Sequence, residues 1–122
     1  MNPANVKLTK QLGYIHLELS LEDALRFLKL LRKKKGVYED IEDSIRILEN
    51  FDAFYEYIRK KHKEYVAPRK NEVDMLAGRV TVDKIKLEVD KIKKVTIVFD
   101  KRVKIEEITE VLRDLGLEFE AF

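Results

Sequence analysis

The chain has 122 residues, of which 25 are Lys or Arg, 23 are Asp or Glu and none is cysteine. That is the length of one domain, able to bury roughly two-thirds of its unfolded surface without a metal or disulfide staple. The missing cysteines exclude disulfides, Cys-based zinc sites and thiol catalysis, and they suit a reducing, cytoplasmic interior.

An apolar share of 45% argues against disorder, and a net charge of +2 against a uniformly basic nucleic-acid protein. Abundant Lys and Glu with a single glutamine, Gln11, is the composition of thermophile proteins. The opening "MNPANVKLTK" lacks the apolar stretch of a signal peptide. Nothing approaches the roughly twenty apolar residues of a spanning helix, so no membrane partner is expected. The charge comes in blocks: net +5 over 1–37, −3 over 38–66, +4 over 67–102 and −4 over 103–122. Such blocks predict sided electrostatics or association between opposite patches.

In chain order, "VKLTK" alternates weakly and can pair across Gln11-Leu12-Gly13 with "GYIHLELS". In that second strand Ile15, Leu17 and Leu19 face one way and Tyr14, His16 and Glu18 the other. Ser20 then caps a helix with apolar positions at Ala24, Leu25, Leu28 and Leu31 and, at its margin, Phe27; it closes on Arg32–Lys35 before Gly36. A second helical pattern from Tyr38 to about Tyr65 repeats through Ile41, Ile45, Leu48, Tyr55 and Ile58, with His62 and Tyr65 extending the same face. Asn50-Phe51-Asp52 is a candidate break, and Pro68 an obligatory end. "PRKNEVDMLAG" reads as a connector with room for one helical turn.

"VDKIKLEVDKIKKV" fits two templates. Its repeated VDKIK places Val82, Ile85, Val89 and Ile92 at heptad positions, yet two heptads fall short of a coiled coil. The β-branched residues favour two strands instead, with a turn near Asp90-Lys91. "KKVTIVFD" is then a strand, and its Val98 suggests burial on both faces. "KIEEITEVLRDLG" is a helix with Ile105, Ile108, Leu112 and Leu115 on one side, and "LEFEAF" a short strand. Strand, helix, strand with short links implies a crossover to a parallel neighbour. The expected fold is α+β: a small mixed sheet with helices on one face in the order β-α-α-β-β-α-β, a ferredoxin-like arrangement with an enlarged helical section.

The inventory of chemistry is thin. Four dispersed glycines, 13, 36, 78 and 116, make no phosphate-cradling loop. Ser20 and Ser44 lack nucleophile-elbow glycines, and the two histidines stand 46 residues apart. No Asp or Glu stands two residues before any lysine, as many metal-dependent nucleases require. In "YEDIEDS" the acids Glu39, Glu42 and Asp43 share a helix face, where answering the helix dipole is their ordinary role. His16 and His62 read as surface and packing residues. No nucleophile, base and oxyanion donor can be assembled, so no catalytic residue, metal or cofactor is expected.

Two binding readings follow. One is a protein-interaction or self-association module, a homodimer included, using the terminal strand with Phe119 and Phe122 as anchors. The other is a nucleic-acid-binding protein whose cations contact phosphates through Arg59, Lys60, Lys61, Lys63, Arg69 and Lys70, assisted by Arg32, Lys33, Lys34 and Lys35.

Overall fold

Gln11 and Tyr14 close a hairpin whose two loop residues, Leu12 and Gly13, both have positive φ, 52° and 86°. Mirror-image turns of this kind match the twist of paired strands. The turn joins β1 (Val6–Gln11) antiparallel to β2 (Tyr14–Ser20). The computed structural model describes residues 5–121, so Phe122 lies outside the described residues.

Helix α1 (Leu21–Lys35) starts where expected, the Ser20 hydroxyl accepting from the Asp23 amide at 3.1 Å. Phe27 is central to its buried stripe, fully buried and edge-on to Phe99 with ring centroids 5.9 Å apart. Next come α2 (Glu39–Glu49) and α3 (Phe51–Lys60), parted at Asn50.

The helical pattern read as far as Tyr65 ends earlier, at Lys60. The Lys63 amide donates to the Ile58 carbonyl and the His62 amide to that of Arg59, with His62 at φ 52°. This is a Schellman stop with a histidine in the left-handed position that glycine usually takes. His62 is therefore exposed and packs on no stripe. The reversal sends Tyr65–Val66 to the sheet as β3, and the connector then makes a short helix, α4 (Glu72–Leu76).

The repeated VDKIK belongs to a hairpin of β4 (Val82–Val89) and β5 (Lys93–Phe99). A bulge between Val82 and Lys84 adds one residue, so Val82 and Ile85, three apart, both face the core, whereas the other two heptad positions, Val89 and Ile92, are exposed. After α5 (Ile105–Asp114) the chain ends in β6 (Phe119–Ala121).

The fold is α+β, a six-stranded mixed open sheet in the order β3-β4-β5-β2-β1-β6. Every neighbouring pair is antiparallel except β1–β6. Strands β2 and β4, joined through the helices, run parallel with β5 between them, a split β-α-β arrangement. β5 and β6 are parallel as well, but β6 does not neighbour β5. Both sides of β5 are taken by β4 and β2, so the returning strand goes to the free edge of β1.

One face of the sheet, with Leu8, Leu17, Ile85, Ile97 and Phe99, forms the core with the helices. Two buried aspartates of α2 tie the connecting chain to that layer. Asp40 Oδ2 accepts from the Thr81 and Val82 amides, each at 2.8 Å, and Asp43 Oδ2 from the Arg69 amide at 2.7 Å. The acids of "YEDIEDS" thus include two that hold backbone, and no group of metal-ligating side chains forms among the described residues.

Candidate functional site

Strand alternation puts the remaining side chains on a sheet face that no helix among the described residues covers. The registers build a row straight across all six strands, Glu120–Lys7–Glu18–Thr96–Lys86–Tyr65. Beside it run Thr9–His16–Val98–Lys84 and the shorter Ser20–Lys94–Glu88. A shallow depression of about 200 Å³ lies over the first two rows, bordered by His16, Glu18, Tyr65 and Lys86. Val98, expected to be covered on both sides, is 1% exposed. It is flanked in register by His16 and Lys84, whose side chains share its face, rather than by a second helical layer.

The aromatic residues of this face carry cations. Lys84 Nζ sits 4.2 Å from the Tyr65 ring centroid, and Lys101 Nζ 4.9 Å from that of Tyr14. Strand spacing and rise place the two tyrosines roughly 20 Å apart along a diagonal of the sheet. Between them, His16 is held below its ordinary pKa of 6.5, first by burial and then by the Lys84 charge, so the imidazole is neutral at pH 7.

The predicted basic residues do not gather on one surface, although Arg32 and Arg69 come together beside α2. Arg32, Lys34 and Lys35 turn inward to acids: Arg32 to Glu42 at 3.4 Å, Lys34 to Asp114 and Glu110, and Lys35 to Glu107 at 3.9 Å and the Thr81 hydroxyl at 3.0 Å. Lys33 points to solvent. Lys70 donates to the Asp83 carbonyl at 2.7 Å, while the exposed Arg69 borders the outer surface of α2 with Arg32 and Glu42. Arg59, Lys60, Lys61 and Lys63 are exposed at the end of α3; Arg59 lies over Tyr55 and Lys63 over Tyr57. They lie just before Tyr65 in the chain, on the approach to edge strand β3.

Phe119 is half-buried against the core, with Arg113 over its ring at 5.9 Å. The tyrosine–lysine pairs were not visible in the sequence as pairs. Tyr14, His16 and Glu18 showed their common face, but Lys84 and Lys101 join them only through strand order.

The fold and this surface define a two-layer α+β protein with one bare, polar, lysine- and tyrosine-bearing sheet face. No protein-family model, curated protein or solved structure matches the chain.

Proposed function

We propose that the chain binds single-stranded nucleic acid on the uncovered sheet face. Bases stack on Tyr14 and Tyr65, and phosphates meet Lys7, Lys84 and Lys101, with Lys86, 3.8 Å from Glu88, a weaker contact. The observation that carries this reading is the ammonium resting on each tyrosine ring, at 4.2 and 4.9 Å, with neither Lys84 nor Lys101 in an ion pair among the described residues. Most cations of the helical layer, by contrast, are matched with carboxylates. An incoming base can take the ring while the displaced ammonium turns to the adjacent phosphate, so the cation exchanges one partner for a stronger one. Lys60, Lys61 and Lys63 extend the basic surface beyond the edge strand. Glu18, Glu88 and Glu120 on the same face keep affinity modest and disfavour the denser charge of a duplex.

Fluorescence anisotropy with single-stranded RNA and DNA and with duplexes tests this. The expected result is single-strand preference, with a log–log salt slope of about −2 to −3 for three or four phosphates. Tyr14→Ala or Tyr65→Ala should each weaken binding by about 1–3 kcal/mol. Equal binding of duplex, or no loss in either variant, would refute the assignment.

A self-association reading has one supporting observation: among the described residues β6 is the outermost strand, placed to extend the sheet into a second copy. Its three residues make a short template. Deletion of 117–122 that leaves a folded chain of unchanged oligomeric state in solution would remove that reading.

A further inference from the structure

One pole of the molecule gathers apolar side chains that the core does not use. The β1–β2 hairpin tip, the turn after β5, α4 and the α1–α2 loop all meet there. Lys101 lies against Gly13 of the hairpin tip, and Arg102 against Gly78 just after α4. Lys35, at the end of α1, reaches Thr81 at the start of β4. At this pole Leu12 is 94% exposed, Leu76 84%, Val37 78%, Val73 63% and Met75 49%.

Leu12 is the telling residue. Its φ of 52° is a left-handed conformation that glycine or asparagine adopts with less strain. A β-hairpin loop of this kind selects those residues for that reason. Leucine there costs the fold strain and buries nothing, so its side chain has a use outside the chain.

We infer that this pole docks on an anionic lipid bilayer, with Leu12, Val37, Val73, Met75 and Leu76 dipping into the interface. The side chains project from three separate protrusions and form no single packed centre such as a protein partner's hot spot requires. Shallow apolar insertion ringed by cations is the binding mode of an interfacial protein. The ring is present: Arg102–Asp100, Arg79–Asp74 and Lys70–Asp83 neutralise one another. That leaves Lys10, Lys33, Arg69, Lys101 and Lys104 exposed against Glu39, Glu72 and Glu106. No helix among the described residues is long and apolar enough to cross a membrane; the contact inferred is peripheral. It shares Lys101 with the nucleic-acid reading but rests on apolar residues that reading does not use.

Vesicle flotation decides the matter, comparing phosphatidylglycerol–phosphatidylcholine vesicles with pure phosphatidylcholine. The chain should float with the anionic vesicles and be released by salt, and Leu76→Asp should weaken binding by about tenfold. Leu12→Asn should weaken it too while raising the melting temperature, because asparagine tolerates the left-handed turn; a purely structural role for Leu12 predicts the opposite change in stability. Absence of flotation, or flotation unchanged in both variants, would overturn the inference. So would a concentration-dependent dimer that Leu12→Asn or Leu76→Asp dissolves, since a second copy would then cover the pole.

Discussion

Asp40 is the residue on which the geometry makes its sharpest demand. It is 1% exposed, and its Oδ2 is the acceptor for two buried amides, Thr81 and Val82, at the entry to β4. Its Oδ1 has no hydrogen-bond partner among the described residues. Asp40→Ala leaves both amides without an acceptor. At about 1–3 kcal/mol for each buried unsatisfied group, the cost is about 2–6 kcal/mol.

Asp40→Asn is the informative control. An asparagine carbonyl can accept both bonds, and its amide would take the place of the unpartnered Oδ1. The loss is then the difference between charged and neutral acceptors, about 1–2 kcal/mol. Urea unfolding at fixed pH measures both. With a slope of about 1–3 kcal/mol per molar, the alanine midpoint should fall by about 1 M or more, and the asparagine midpoint by clearly less. Asp40→Ala costing under about 1 kcal/mol would show that the two amides find other acceptors. Equal losses in the two variants would refute the argument from Oδ1.

Two further outcomes follow from local geometry. His62→Gly should stabilise the chain by about 0.5–1 kcal/mol, because glycine takes the left-handed stop of α3 without the Cβ clash while giving back some unfolded-state entropy; thermal melts read this directly, and unchanged stability would mean that His62 is not strained. His16 is held below its ordinary pKa of 6.5, so the unfolded chain takes up its proton first as pH falls. Its contribution to stability is full above 6.5 and is lost through the folded-state pKa. Melting temperature should drop between neutral and mildly acid pH, and His16→Gln should flatten that drop. Lys84→Gln should raise the His16 pKa in an NMR titration, since the Lys84 charge is one of its two depressing causes.

The helices and strands were legible in the sequence wherever one local signal dominated. Ser20 and Gly36 bracket α1 with the two strongest end signals a helix has, a hydroxyl cap and a glycine stop. The same logic failed at His62, because a left-handed histidine carries no composition signal. The apolar spacing then ran on through Tyr65, although that residue lies on a strand. At VDKIK the β-branched residues pointed correctly to strands against the competing period of seven, but nothing local announced the bulge at Asp83 that puts Val82 and Ile85, three apart, on one face. Bulges are set by pairing, and pairing is not local.

The basic clusters show why charge read along a chain does not locate a site. Arg32–Lys35 is the densest run, yet three of its four side chains meet acids of α2 and α5 that are 10 to 80 residues away, the negative blocks of the sequence. The blocks thus answer one another within the molecule. What remains unanswered is set by topology. Lys84 and Lys101 stand 17 residues apart in sequence, with Tyr65 and Tyr14 still further apart. Only the order β3-β4-β5-β2 puts all four on one bare face. A cation whose partner is an aromatic ring keeps its charge available, whereas one held by a carboxylate does not. The Lys–Tyr pairs, rather than the longest run of lysines, are therefore where phosphate contacts should be sought first.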